Sequence, residues 1–351
     1  MLALSRKMNF SIIKERGEIV NPSKVTVSAL DIKYDKKFSG KNSKVYKNSK
    51  CSKYFREYAN NYQLVMMFLP VIICLVLFSY APMYGLVIAF KDFQLLKGIS
   101  GSEWVGLENF RKLLITPSFH EVFRNTVIIS LLRILFGFPA PIILSILLNE
   151  IYHNTYKKIV QTISYLPHFL SWVVLGGLFM QVLSPSGGLV NQIITAFGGK
   201  PIYFLADPNY FISMLIAAGI WQSVGWGTII YLAAITSINT ELYEAAVVDG
   251  ATRFNQILHI TLPSIAPTIT ILFILQMGNI VNAGFDQIYN LYNPAVYKVA
   301  DIIDTYVYRK GLISMQYSFA SAAGLFKNII SFILVFFTNY IVKKFSEDSI
   351  W

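Results

Sequence analysis

Six stretches of apolar residues, each roughly 20 residues or longer and almost free of charge, recur along the chain. A helix rises about 1.5 Å per residue, so about 20 apolar residues cross a hydrocarbon core about 30 Å thick. The pattern therefore predicts an all-α, polytopic membrane protein with six transmembrane helices. The predicted spans are residues 63–90, 122–149, 159–183, 210–236, 264–285 and 318–342.

The polar segments divide the rest of the chain. We expect a basic N-terminal tail at 1–62, a six-helix domain at 63–345 and a short C-terminal segment at 346–351. Six crossings put both termini on one membrane side, together with the links 150–158 and 237–263. The connections 91–121, 184–209 and 286–317 then lie on the other side.

Composition supports the membrane assignment, since the mean hydropathy is +0.51 and only 14% of residues are charged, against about 25% in soluble proteins. The net charge of +11 resides mostly in residues 1–62, which hold 14 Lys or Arg and five acids. Such a tail is typical of a cytoplasmic anchor on anionic lipid, rather than of a nucleic-acid-binding protein. Two cysteines, Cys51 and Cys74, exclude a disulfide framework or a cysteine metal site. We expect no cleavable signal peptide, because the first 60 residues lack an apolar core followed by a cleavage site.

Charge also bears on orientation. The side that carries the termini holds 19 Lys or Arg against eight on the other, but only five against eight without the tail. By the positive-inside rule both termini are expected in the cytoplasm, and this expectation depends on the tail.

The link before the fifth span carries the most specific pattern. Residues 244–263 read EAAVVDGATRFNQILHITLP. We expect a first helix on which Ala245 and Ala246 let another surface approach the backbone closely, and a bend at Asp249-Gly250. A second short helix then stops at Pro263, and this proline begins the fifth span.

This spacing resembles the EAA loop of ABC importer permeases without a gap. The matching coupling residues are Glu244, Ala245, Ala246, Asp249, Gly250, Ile260, Leu262 and Pro263. The segments VGLENFRKLL, FRNTVIISLL and YLPHFLSWVV resemble the sugar-permease class, and DIIDTYVYRKGL and YSFASAAGLFKNII resemble its polysaccharide-type branch. An interfacial amphipathic helix without a partner is the alternative for the loop alone.

The resemblance implies a type I ABC importer permease fold in the bacterial cytoplasmic membrane, with an oligosaccharide as cargo. It implies three kinds of partner: a second homologous permease, an ABC ATPase dimer that receives the loop at 237–263, and an extracellular sugar-binding protein. The chain has no G-x-x-x-x-G-K-[ST] sequence. We therefore expect a non-catalytic transport subunit that binds no cofactor, with ATP and Mg²⁺ bound by the partner ATPase.

Polar residues within spans are costly and usually face the bundle interior. On one continuous fifth helix, four such residues fall within an arc of about 120°. They and three residues of the fourth span are candidates for the substrate path, with helix–helix hydrogen bonding as the alternative. These candidates are Gln276, Asn279, Asn282 and Asp286, with Trp221, Gln222 and Trp226.

Arg133, near the middle of the second span, is a further candidate for the path. It would pair either with a uronate carboxylate of an acidic sugar, or structurally with a carbonyl or a partner-chain acid. His168 has no second ligand nearby in sequence, so we do not expect a metal there.

Two other classes compete. An ion-coupled secondary transporter would need carboxylates within its spans, where Asp and Glu are almost absent. A membrane enzyme would need a catalytic motif such as HExxH or GxSxG, and neither occurs. Co-purification with an ATPase subunit would separate both classes from an ABC permease.

Overall fold

The computed structural model describes residues 61–345. Contacts divide the chain into two units, Met1–Pro70 and Val71–Trp351. The expectations for the N-terminal tail, apart from its last two residues, and for the segment 346–351 lie outside the described residues. The described chain is nearly all helical, as predicted, with one antiparallel strand pair between Lys91–Asp92 and Glu103–Trp104.

Within residues 61–345, five helices are long and apolar enough to cross a membrane, and a pair of helices bent by 105° brings the number to six when it is counted as one span. The prediction of six spans is confirmed if that pair counts as one. Spans 1, 2, 4, 5 and 6 are Tyr62–Phe90, Pro117–Asn149, Pro208–Thr236, Arg253–Asn282 and Tyr317–Lys344, and span 3 is the pair Asn154–Phe169 and Trp172–Val182.

Spans 1 and 2 change helix type close to prolines. Span 1 consists of an α-helix at Tyr62–Leu75, a π-helix at Val76–Tyr80 and a 3-10 helix at Ala81–Phe90. Span 2 consists of an α-helix at Pro117–Leu132, a π-helix at Arg133–Gly137 and an α-helix at Pro139–Asn149. Proline has no N–H and clashes with the carbonyl four residues earlier, so the wider π turns before Pro82 and Pro139 let the spans continue.

Span 3 is not the straight helix expected over 159–183. An α-helix at Asn154–Tyr165 runs into a 3-10 turn at Leu166–Phe169, and the second helix, Trp172–Val182, leaves at an angle of 105°. Pro167 lies in the 3-10 turn, and Ser171 caps the second helix by accepting the Val174 N–H at 3.4 Å. The first arm is amphipathic and carries Lys157 and Lys158 near its start, whereas the second arm is strongly apolar. The sequence reads as one apolar run from residue 159 because it includes only the more apolar end of the first arm.

Span 4 is a single α-helix, Pro208–Thr236, and agrees with the expected 210–236. Asp207 caps it by accepting the Asn209 N–H at 2.9 Å. Phe211 and Leu215 are fully buried in a core cluster that includes Ile129 and Ile288. Span 4 thus packs against residues of span 2 and of the 283–316 connection.

Span 5 differs from expectation at both ends. It begins at Arg253 and continues through Pro263, as an α-helix at Arg253–Gln256, a π-helix at Ile257–Thr261 and an α-helix at Leu262–Gly278. The predicted stop at Pro263 is wrong, because the π turn just before it accommodates the missing N–H. A 3-10 turn at Ile280–Asn282 then ends the span before the expected Phe285.

Short helices fill the connections, and span 6 completes the bundle as the α-helix Tyr317–Phe345. The helices of the connections are Gly98–Gly101, Glu108–Ile115, Leu189–Ala196, Thr240–Val248, Phe285–Leu291, Pro294–Val296, Tyr297–Ala300, Ile303–Tyr308 and Arg309–Ile313. Two ion pairs fix the last connection, one between Asp301 and Arg309 and one between Asp304 and Lys327, the latter at 2.5 Å. The second pair fastens the connection to span 6.

Candidate functional site

Two adjoining cavities lie among spans 2, 4 and 5. The first has a volume of about 370 Å³ and the second of about 480 Å³, both within the usual range for ligand pockets. The residues that line both are Arg133, Gly219, Ser223, Gln276 and Asn279. The two cavities therefore meet at one polar wall.

The structure gathers seven of the eight predicted substrate-path residues around these cavities. Arg133, Gln276 and Asn279 line both, Trp226 lines the first, and Gln222, Asn282 and Asp286 line the second. Trp221 lines neither, and packs edge-on against Phe179 with ring centroids 5.8 Å apart. The part these residues play in transport stays a prediction.

The helical stripe that was predicted for these residues is wrong, although they still share a cavity. The α-helix ends at Gly278, and Ala283 and Gly284 have φ angles of 25° and 80° before a new helix begins at Phe285. Gln276 and Asp286 therefore lie on different helices. Residues from both sides of the break nevertheless line the second cavity.

The Arg133 guanidinium lies at this break. It donates to Oε1 of Gln287, and Nε2 of Gln287 donates to the Leu215 carbonyl at 2.6 Å. Gln287 is only 1% exposed, so this amide is a fixed bridge from span 2 to span 4. The guanidinium is thus held by a neutral group.

Arg133 has no counter-ion in the described part of the chain. The two ion pairs within residues 61–345 do not include it. Its buried Nε has no hydrogen-bond partner among the described residues. A buried charge is normally paired, because leaving it unpaired costs several kcal/mol. The wall shared by the cavities therefore carries an uncompensated positive charge.

Gly284 allows the guanidinium to take this position. Its φ of 80° is in the left-handed region that favours glycine, and a Cβ built there would overlap the guanidinium of Arg133. Sequence analysis missed both Gly284 and Gln287. The Ala283-Gly284 pair was a signal for a break, but only the fold brings it against Arg133.

An aromatic stack includes Trp226, which lines the first cavity. The rings of His168 and Trp226 lie face to face, with centroids 4.7 Å apart and planes inclined by 5°. Gln222 on span 4 donates to the His168 carbonyl at 3.5 Å. These contacts hold the bend of span 3 against span 4, and they fix the plane of the Trp226 ring.

The link at 237–263, hereafter the hairpin, is the second candidate region. Its first helix, Thr240–Val248, is capped by Asn239, whose Oδ1 accepts the Glu241 N–H at 3.1 Å. The helix ends in a Schellman motif: the N–H groups of Gly250 and Ala251 donate to Val247 and Ala246 at 3.0 and 2.8 Å. The predicted bend at Asp249-Gly250 is confirmed, with Gly250 at a φ of 79°.

Side-chain contacts join the two arms of the hairpin and fix it to the neighbouring link. The hydroxyls of Tyr243 and Thr261 are 2.9 Å apart, and Arg253 donates to the Tyr152 hydroxyl at 2.6 Å. Of the predicted coupling residues, Ala246, Ile260 and Leu262 are half-buried. The others, Glu244, Ala245, Asp249, Gly250 and Pro263, are exposed.

The surface of the hairpin is apolar for a polar segment. Val248 is 87% exposed and Phe254 is 71% exposed, and Leu242 and Val247 are more than half exposed. A separate cavity of about 370 Å³ is lined by Tyr152, Tyr243 and Arg253, among others, and by none of these four side chains. Exposed apolar groups of this size are typical of a protein-binding surface.

Comparison with protein families gives one match, over residues 137–347, to the family described as binding-protein-dependent transport system inner membrane component. The polygalacturonan/rhamnogalacturonan transport system permease protein YteP of Bacillus subtilis (strain 168) is 44% identical over 307 residues, covering 88% of this chain and 96% of that protein. Protein LplB of the same organism is 42% identical over 288 residues, covering 82% and 91%.

Solved structures also match over most of the chain. A chain from the crystal structure of a bacterial ABC transporter involved in the import of the acidic polysaccharide alginate has a TM-score of 0.78 and 42% identity, over 83% of this chain and 99% of that one. A second structure, of the bacterial alginate ABC transporter in complex with alginate pentasaccharide-bound periplasmic protein, has a TM-score of 0.79 and 41% identity, over 84% and 99%.

Proposed function

The chain belongs to the family of binding-protein-dependent transport system inner membrane components, and from that premise we propose that it imports an acidic oligosaccharide whose carboxylates pair with Arg133. The identification as a sugar-class ABC transporter permease is confirmed by the family and its relatives. The chain is thus a transport subunit in a membrane, and the nature of its cargo is the proposal.

The main support for this proposal is that the positive charge of Arg133 has no counter-ion among the described residues. A guanidinium presents its donors in a planar fork that matches a carboxylate, and such charge-assisted bonds are about twice as strong as neutral ones. Gln287 occupies one donor and leaves Nε without a partner in the described chain. The amides of Gln276 and Asn279 on the same wall suit sugar hydroxyls.

The relatives support an acidic cargo. The alginate transporter and the polygalacturonan/rhamnogalacturonan permease are both named for polymers that contain uronic acids. Within the described spans of this chain the only carboxylate is Glu121, near the start of span 2. Asp286 and Asp304 line the second cavity from the 283–316 connection, but neither forms an ion pair with Arg133, and Asp304 pairs with Lys327.

ATP would be hydrolysed by a separate ABC ATPase dimer that binds the hairpin on the cytoplasmic side. The exposed apolar surface of the hairpin and its stiff Schellman bend support this role. A second permease would complete the bundle, and an extracellular binding protein would deliver the sugar on the opposite side. Closure of the ATPase would rock the spans between inward- and outward-facing states.

Replacement of Arg133 by Gln tests the proposal. Loss of a charged hydrogen bond predicts that uptake of acidic oligosaccharides falls by about tenfold or more, while uptake of neutral ones changes little. The measurement is uptake into proteoliposomes that contain the complete transporter. Lys343→Gln, at an exposed position near the end of span 6, removes one charge elsewhere and serves as the control.

The structural alternative predicts a different outcome. If Arg133 only holds the bundle together, through Gln287 or through an acid of a partner chain, then Arg133→Gln lowers the uptake of acidic and neutral oligosaccharides equally. Equal losses would end the proposal of a carboxylate site. Arg133→Lys, which keeps the charge but loses the planar fork, should retain more uptake of acidic oligosaccharides than Arg133→Gln, with uptake of neutral ones unchanged.

A further inference from the structure

Three aromatic rings, here called the aromatic platform, stand beside the second cavity. Phe285 and Tyr289 are stacked with centroids 5.4 Å apart, and Tyr308 packs on both, at 5.9 Å from Phe285 and 5.0 Å from Tyr289. Tyr289 also donates to the Tyr308 hydroxyl at 3.3 Å. The three rings therefore form one unit.

The platform is open to solvent and held rigidly from behind. Tyr289 is 40% exposed, although it contacts two other rings. Tyr308 is followed by Arg309, which pairs with buried Asp301 and lies over the Tyr297 ring at 4.9 Å. Rings that are fixed before a ligand arrives bind it with less loss of conformational freedom.

The platform continues directly into the site around Arg133. Phe285 lines the second cavity, and it follows Gly284, the residue that adjoins the Arg133 guanidinium. Tyr289 lies one turn further along the same helix, about 6 Å away along its axis. A chain molecule held at Arg133 would therefore reach the platform with its next unit.

The helix that carries Phe285 and Tyr289 also carries two polar residues, Asp286 and Asn290, which could bind sugar hydroxyls. Asp286, which follows Phe285, also lines the second cavity, and its carboxylate accepts hydroxyl hydrogen bonds. Asn290 donates Nδ2 to the Asp286 carbonyl at 2.7 Å, which leaves its own Oδ1 as an acceptor.

We propose that the aromatic platform is an entrance subsite, which stacks on a pyranose ring of the oligosaccharide while Arg133 holds the carboxylate of a neighbouring sugar. This rests on the proposed function, since it assumes an oligosaccharide as cargo. Aromatic faces bind the apolar C–H face of a sugar ring, and the polar edges bind its hydroxyls. The subsite makes the permease selective for chains over single sugars.

Chain length is the variable that tests the platform. The complete transporter, with its binding protein, is reconstituted in proteoliposomes and supplied with single uronic acids and with oligogalacturonides and oligoalginates of five sugars. For Tyr289→Ala, kcat/KM for the five-sugar chains is expected to fall about tenfold, and that for the single uronic acids less than about threefold. Tyr289→Phe and Tyr289→Trp keep a ring and should restore uptake of the longer chains.

Two results would overturn the platform. The first is an equal loss, or no loss, at both chain lengths. The second is weaker association of Tyr289→Ala with the binding protein when that protein carries no sugar, because the rings would then be a protein-docking surface. Failure of the proposed function gives a different signature: Arg133→Gln would leave the preference for acidic over neutral sugars unchanged, whatever the chain-length series shows.

Discussion

The hairpin is held in shape by its own backbone, whereas the cavity wall around Arg133 is assembled from separate parts of the chain. In the hairpin, Gly250 and Ala251 bond to carbonyls within the same turn, and apolar side chains face outwards. In the wall, Arg133, Gln287 and Leu215 come from span 2, the 283–316 connection and span 4. A bend that is stabilised locally suits a surface that a partner protein binds. A wall formed by distant segments suits a site that changes when the spans move.

Replacement of Gly250 by Pro should have the largest effect, because it breaks the local construction of the hairpin. Proline fixes φ near −65°, against 79° here, and removes the N–H that bonds to Val247. A cost of about 3 kcal/mol predicts a loss of uptake of about a hundredfold. The measurement is uptake together with ATP hydrolysis stimulated by the binding protein.

The matched control at this position is Gly250→Asn, since asparagine tolerates the left-handed conformation. It should retain most of the uptake. Normal uptake by Gly250→Pro would mean that the bend does not couple hydrolysis to transport.

Replacement of Gly284 by Ala should have an intermediate effect, because it displaces the guanidinium from the tertiary wall. The positive φ costs about 1–2 kcal/mol for a residue with a Cβ, and that Cβ would overlap Arg133. We expect uptake of acidic oligosaccharides to fall about tenfold, with ATPase binding unchanged. Gly177→Ala is the control, since nothing lies within 4 Å of a Cβ at Gly177; an equal loss there would contradict the account.

Structure that depends on local contacts, as in the hairpin, could be predicted from the sequence, whereas structure that depends on distant contacts could not. The bend at Asp249-Gly250 could be predicted because its hydrogen bonds join residues within six positions of one another. The spans could be predicted because hydropathy alone decides whether a helix enters lipid. Neither inference needs knowledge of distant parts of the chain.

The breaks in spans 3 and 5 could not be predicted in the same way. Pro167 accompanies a bend of 105°, whereas Pro263 and Pro267 lie in a helix that continues. Neighbouring spans decide which outcome occurs, because they supply partners for the freed backbone groups. Gln287 was missed because its role depends on Arg133 and Leu215, which only the fold brings to it.

The smallest expected effect concerns the exposed face of the hairpin. Val248→Ser removes an apolar side chain that is 87% exposed, so the stability of the permease should not change. Burial of a valine against a partner contributes about 1.5 kcal/mol, so affinity for the ATPase subunit should fall by roughly three- to tenfold. Leu96→Ser, on the opposite side and fully exposed, is the control; equal affinity for both variants would contradict an interface at Val248.

The Gln287→Glu substitution tests directly whether Arg133 binds a carboxylate of the cargo, because it gives Arg133 a counter-ion within the chain. Gln287→Glu and Gln287→Leu both remove the donor to the Leu215 carbonyl, but only the first places a carboxylate against the guanidinium. The measurement is the ratio of acidic to neutral oligosaccharide uptake in proteoliposomes. The account predicts that this ratio falls about tenfold in Gln287→Glu relative to Gln287→Leu. The same ratio in both variants would contradict it.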